Sequence, residues 1–256
     1  AATLAKIKEA EVYGIHVHGF DVNFSEIVER KNKVVSGLNK SVTALVAANK
    51  ITLFKGRGKF DTPNTIKVMG EDNALIEGDN IIIATGSEPL EIPAFPFDHK
   101  QILSSTSVLN LKKLPKSIAI IGGGYIGCEF ASFFADLGVE THVVEAAETI
   151  IPMQGKDLAS AMTKALTKKG IQIHSGVFVE NITKHKDSVS LEIKGGKSVE
   201  AELALVSVGR KLNSDNIGLE KVGVATDKGK IVVGMTEVTG RNILRDFGEI
   251  ELFQIL

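Results

Sequence analysis

The sequence has no tryptophan, six prolines and a single cysteine, Cys128, among 256 residues. One thiol excludes a disulfide within the chain and suits a reducing compartment, the cytoplasm or, in a eukaryote, the mitochondrial matrix. Charge of one sign is also lacking. Thirty lysines and arginines stand against 31 aspartates and glutamates, so no global field draws in nucleic acid or an anionic membrane. Long apolar runs are missing as well: the longest uncharged run, from Ser117 to Cys128, is far too short to span a bilayer. The first residues, "AATLAKIKEAEVYG", lack the basic-then-apolar layout of a signal peptide and read as a plain helix. With 43% hydrophobic residues and 24% charged ones, neither disorder nor fibre is indicated. What remains is an α/β protein that handles small molecules.

The periodicity gives the order of elements. Ile27, Val34, Val35, Leu38, Val42 and Leu45 recur at three- and four-residue steps, which predicts a helix between Asp21 and Lys50, capped by Asn23 or Ser25. "ITLF" (51–54), "TIKVM" (65–69) after the turn "DTPN", and "NIIIATGS" read as strands. Pro89, Pro93 and Pro96 mark an extended connector. From "IAIIG" onward the pattern is β-α-β-α-β, through "YIGCEFASFFADLG", "VETHVVEA", "KDLASAMTKALTKKG" and "IQIHSG". "VFVENITKHK", "SVSLEIK" and "SVEAELALVSVG" then read as an antiparallel meander, with "KGGK" as one of its turns.

Gly122-x-Gly124-x-x-Gly127 lies between a strand and a helix, the context in which this spacing holds a dinucleotide. Gly122 permits the tight turn, Gly124 lets backbone approach a pyrophosphate, and Gly127 lets helix and strand pack closely. The phosphates then meet the positive end of the helix. Ile126, Phe130, Phe133, Phe134 and Leu137 are expected to form the face that covers the sheet, and Gly138 to stop the helix. A bare glycine turn without ligand is the plain alternative. Glu145 weighs against it: it ends the second strand 18 residues after Gly127, where a carboxylate bonds the ribose hydroxyls and repels a 2′-phosphate. NAD(H) is therefore expected in preference to NADP(H).

"IIIATGSEP", "LSSTSVLNLKKLPKS", "IAIIGGGYIGCEFASFFADLG" and "LVSVGRKLNSDNIGLEKVGV", in that order, resemble the flavin-dependent pyridine-nucleotide disulfide reductases. The stretch from "AEVYGIHVHGF" to "GRGKF" makes the likeness closest to the dihydrolipoamide dehydrogenase branch. The likeness runs from residue 1 to about residue 238. It implies a Rossmann-like NAD-binding domain inserted in an incomplete FAD-binding domain. The expected boundaries are 1–111 for the partial FAD domain, 112–212 for the NAD domain, and 213–256 for a partial return to the FAD domain with a divergent tail.

The resemblance also implies site residues. Gly122, Gly123, Gly124, Tyr125, Ile126, Gly127, Cys128 and Glu129 would form the NAD pyrophosphate loop, with Glu129 near nicotinamide and flavin. Glu145 would hold the ribose, Val179 would lie along the adenine, and Gly209 would line the nicotinamide end. Gly58, Ala84, Thr85 and Gly86 would touch the FAD adenosine. Tyr125 matches an aromatic gate, or is a surface tyrosine. Thr236, Val238 and Asp246 fall in register with the family's second FAD signature, although Arg245 replaces its glycine.

The family's redox cysteine pair and its His–Glu base have no counterpart in this sequence, and the six histidines are scattered. Cys128 reads as a small packing residue. No catalytic residue and no metal ligand is therefore expected. The resemblance implies FAD-dependent oxidation of dihydrolipoamide with hydride transfer to NAD+, the lipoyl domain of a 2-oxo acid dehydrogenase or glycine-cleavage complex as partner, and a homodimeric parent. The chain is expected to be a truncated form, inactive alone. A non-catalytic NAD(H)-binding module and a related flavoprotein NADH oxidoreductase are the alternatives.

Overall fold

A computed structural model describes residues 2–233. The matches at Thr236, Val238 and Asp246, with the divergent tail, lie outside the described residues. In chain order the helices are α1 (Ala2–Lys8), α2 (Phe24–Ala48), α3 (Tyr125–Asp136) and α4 (Lys156–Lys168). The strands are β1 (Arg57–Thr62), β2 (Thr65–Met69), β3 (Ala74–Glu77), β4 (Ser87–Pro89), β5 (Ile102–Ser104), β6 (Ser117–Ile121), β7 (Glu140–Glu145), β8 (Gln172–Ser175), β9 (Val179–Lys184), β10 (Val189–Ile193), β11 (Lys197–Ala201), β12 (Leu203–Val206), β13 (Arg210–Leu212), β14 (Thr226–Asp227) and β15 (Lys230–Ile231). Among the described residues two compact units form, one from the stretch up to Asn32 with Pro89–Gly209, the other from Lys33–Glu88 with the stretch from Arg210 onward.

The first unit is built on a five-stranded parallel sheet in the order β5-β12-β6-β7-β8. Successive side chains of a strand point to opposite faces, and the two cores divide accordingly. Ile118, Ile120, Val143, Leu203 and Leu205 face Cys128, Ala131 and Phe134 of α3 with Ala159 and Leu166 of α4. Ala119, Ile121, Val144, Ala204 and Val206 face the antiparallel meander β9-β10-β11 through Val179, Val189, Leu191 and Val199. Gly195 and Gly196, both at positive φ, make the β10–β11 turn that "KGGK" predicts.

Four expectations are corrected. "SVEAELALVSVG" is two strands: Lys197–Ala201 completes the meander, whereas Leu203–Val206 returns to the parallel sheet between β5 and β6. Residues 102–104, within the expected connector, are the edge strand of that sheet. "ITLF" and "NIIIATGS" are apolar but lie outside every strand except for Ser87, because no strand among the described residues supplies a ladder for them. The buried face of α3 is Gly127, Cys128, Ala131 and Phe134, with Phe130 and Phe133 at its margin. Small side chains take the centre because they let the helix approach the sheet.

In the second unit β1, β2 and β3 form an antiparallel sheet with "TIKVM" in the predicted place. Phe60, Ile217 and Leu219 are its buried centre, joined by Ile66, Ile81 and Ile83. The α2 helix crosses the sequence boundary between the units. Asn23 caps it: its Oδ1 accepts the Glu26 N–H at 3.4 Å and its Nδ2 donates to Glu26 Oε1 at 2.9 Å. Among the described residues no helix is long and apolar enough to cross a membrane.

Candidate functional site

The glycine turn joins β6 to α3, and each glycine has its own surroundings. Gly122 has φ +101, and a Cβ on it would stand 2.6 Å from the Ser207 carbonyl oxygen. A Cβ on Gly127 would stand 2.0 Å from the Gly122 carbonyl oxygen, so the first turn of α3 rests directly on the end of β6. Gly124 differs. It is the N-cap of α3 at φ −69, and a Cβ there would meet nothing within 4 Å. The opening beside Gly124 faces the first turn of the helix, where amides have no partner within the helix.

Gly123 is the residue whose role the spacing did not show. Its N–H donates to Glu145 Oε2 at 2.6 Å, while its carbonyl accepts the Ile151 N–H at 2.7 Å and the Cys128 thiol at 3.4 Å. A Cβ on it would meet Ile150 Cγ2 at 2.8 Å. The available signal was the unbroken run of three glycines. No local sequence pattern points to Ser207: its hydroxyl donates to the carbonyls of Ile121 and Gly122, each at 3.1 Å, which ties the end of β12 to the turn.

Glu145, at the end of β7, is thereby joined to the loop. Its other oxygen accepts the Ala147 N–H at 2.8 Å. A carboxylate offers about four acceptor positions, so two backbone bonds leave it able to take further donors. Burial, with the Glu145 charge in addition, pushes the Cys128 thiol up to about 11. That thiol is 5% exposed and stays protonated at neutral pH, a packing group against Gly123.

Of the other expected residues in the first unit, Tyr125 is 69% exposed, Glu129 is exposed, and Ile126 is half-buried. Val179 is buried in the meander core, whereas the preceding Phe178 is exposed. Gly209 is exposed at φ +153, and its carbonyl accepts the Leu90 N–H at 3.1 Å. In the second unit, Asn213 fixes Thr85 and Gly86 by donating to both carbonyls, at 3.2 and 3.1 Å. Ala84 beside them is exposed. Gly58 is buried in β1 and lines an apolar cavity with Thr52, Phe54, Ile81 and Ile83, while Thr85 borders a separate polar concavity with Arg57 and Asn213.

Residues 3–240 match the model of the pyridine nucleotide-disulphide oxidoreductase family, and the chain belongs to that family. Members use FAD and a pyridine nucleotide. The dihydrolipoyl dehydrogenase of Chlamydia muridarum is 42% identical over 234 residues, 91% of this chain and 50% of the relative. That of Bacillus subtilis is 38% identical over 87% of this chain and 48% of the relative. This chain thus spans about half the length of the curated relatives it matches. Among solved structures, the HOCl-induced flavoprotein disulfide reductase RclA from Escherichia coli superposes with a TM-score of 0.73 at 31% identity, over 83% of this chain and 49% of that one. LpdA from Mycobacterium tuberculosis gives a TM-score of 0.81 at 24% identity, over 89% of this chain and 50% of that one, a likeness of fold.

Proposed function

We propose that this chain forms the NAD-binding part of a dihydrolipoamide dehydrogenase, an enzyme that oxidises dihydrolipoamide and passes a hydride to NAD+ with FAD as intermediary. The observation that carries the reading is the pairing of an open Gly124 at the head of α3 with Glu145 at the end of β7. The residues fit NAD. Gly122 and Gly127 bring the helix onto the strand, Gly124 leaves room for the pyrophosphate, and Glu145 retains acceptor capacity for the ribose hydroxyls. When bound, NAD supplies a nicotinamide ring that accepts a hydride. The polypeptide's own task is to hold it by the phosphates and the adenosine, with residues 112–212 as the NAD domain. In the FAD half, Thr85 and Gly86 are fixed by Asn213, whereas Gly58 lines a different concavity from the one that Thr85 borders.

The identity to named dihydrolipoyl dehydrogenases supports dihydrolipoamide as substrate, the lipoyl domain of a 2-oxo acid dehydrogenase or glycine-cleavage complex as partner, homodimerisation, and a cytoplasmic or mitochondrial-matrix site. A second reading, a non-catalytic NAD(H)-binding module, rests on the same pairing of Gly124 with Glu145, which suits a nucleotide whether or not flavin is bound.

Calorimetry with NADH and NADPH tests the binding claim. Glu145→Ala is expected to weaken NADH by about 1–3 kcal/mol, the scale for losing a charged hydrogen-bonding group. Glu145→Gln is expected to narrow the preference over NADPH by removing the negative charge. Unchanged NADH affinity in Glu145→Ala would place the ribose elsewhere. Flavin absorbance in the purified protein separates the enzymatic reading from the module.

A further inference from the structure

Away from the glycine turn, on the meander face of the parallel sheet, two histidines meet. His142 on β7 and His174 on β8 lie on adjacent strands, with His142 Nδ1 3.4 Å from His174 Nε2 and ring planes 12° apart. The far nitrogen of His142, Nε2, stands 3.3 Å from Glu140 Oε1. An ionised carboxylate only accepts, so Nε2 carries the proton and Nδ1 of His142 presents its lone pair toward His174. His142 is 8% exposed and held in place, whereas His174 is half-buried and reachable from solvent.

We propose that His142 and His174 form a two-imidazole site for a first-row divalent cation of the zinc class, with water in the remaining positions. Three observations carry this. Imidazole is a preferred ligand of Zn2+, Ni2+ and Cu2+. Two bonds of about 2.0–2.1 Å meeting near the tetrahedral angle span about 3.3–3.4 Å, and the nitrogens already stand that far apart. The carboxylate on the outer nitrogen of His142 is the partner that ligating histidines use to fix their tautomer and strengthen the donor. In the unbound pair His174 Nε2 donates to His142 Nδ1; on binding, His174 gives up its Nε2 proton to solvent and takes one at Nδ1, the neutral tautomer whose Nε2 lone pair meets the cation, so both imidazoles stay neutral. Both must be neutral. Burial, then His142 and Lys197, hold the His174 imidazole below its ordinary proton affinity, which favours that form. Lys197, exposed on β11, also opposes a cation, and Glu140 offsets it. Among the described residues no three His, Cys, Asp or Glu side chains are placed to hold a metal ion together, so the site is a chelate of two side chains and not a closed structural centre.

The sequence holds one rival, His16-Val17-His18, on an exposed stretch. Titration calorimetry with ZnCl2 near pH 7.5 is expected to show saturable binding that falls at least tenfold in His174→Gln and in His142→Gln but is unchanged in the double variant His16→Gln/His18→Gln. In the wild-type protein, Zn2+ should shift the ring resonances of His142 and His174, which decides the matter should either single variant not fold. Ring resonances of the pair that stay in place, binding lost only in the His16/His18 variant, or full affinity in folded His174→Gln would each overturn the site.

Discussion

At the scale of single residues, the glycines of the turn separate packing from binding. Spacing alone marked Gly122, Gly124 and Gly127, and it could do so because each position serves a local backbone need. Gly123 was not distinguished, since its role depends on Glu145 and Ile151, brought in by the next strand and its following loop. Gly127→Ala would drive a methyl group into the Gly122 carbonyl at 2.0 Å, a backbone atom that cannot turn aside. We expect a loss of stability at or above the upper end of the usual overpacking range of about 1–3 kcal/mol. Gly124→Ala places its methyl in open space at an ordinary φ, so its melting should stay near wild type while NADH affinity falls. Denaturant unfolding and calorimetry on the two variants check this, and a Gly127→Ala protein as stable as wild type would refute it.

At the scale of elements, composition told which segments are apolar but not which have partners. "IAIIG", "YIGCEFASFFADLG" and "THVVEA" were legible because strand, turn and helix are contiguous and each local preference agrees with the fold. Leu203–Val206 was not, because a parallel strand is paired through crossovers that no local pattern records, and it follows Ala201 after one residue. "NIIIATGS" has strand composition without strand pairing, and β6 and β12, paired along four successive residues, show what partners add. The His174 side chain bears on the same element scale, joining β8 to β7. Burial, then His142 and Lys197, lower its proton affinity from the ordinary value of 6.5. A group whose folded pKa is depressed contributes stability that is present above the unfolded value and lost as pH falls through the folded one. The melting temperature should therefore decline below about pH 6.5 more steeply in wild type than in His174→Gln. Parallel declines measured by thermal melts across that range would remove His174 from the acid response.

At the scale of the whole molecule, the two units differ in how their backbone groups are used. In the first, Ile120, Val143 and Leu205 have no measurable exposure and sit in paired parallel strands with cores on both faces. In the second, the stretches 51–55 and 79–86 lie outside every strand, and Thr52, Leu53, Ile81, Ile82 and Ile83 line a cavity. Local opening follows the weakest cooperative unit, and amides that lack ladder bonds exchange through small fluctuations while those of a two-sided sheet wait for larger ones. Hydrogen exchange should accordingly protect β6, β7 and β12 most, with residues 51–55 and 79–86 exchanging far earlier and residues 1–111 less protected as a group than 112–212. NADH should then slow exchange further around residues 122–129 and 145, because a ligand that binds only the folded form stabilises it by mass action, and should leave 79–86 unchanged. Equal protection in the two groups would mean that sheet pairing does not set the order of opening here. Protection by NADH that appears at 79–86 while the glycine turn stays unaffected would move the nucleotide away from Gly124 and Glu145.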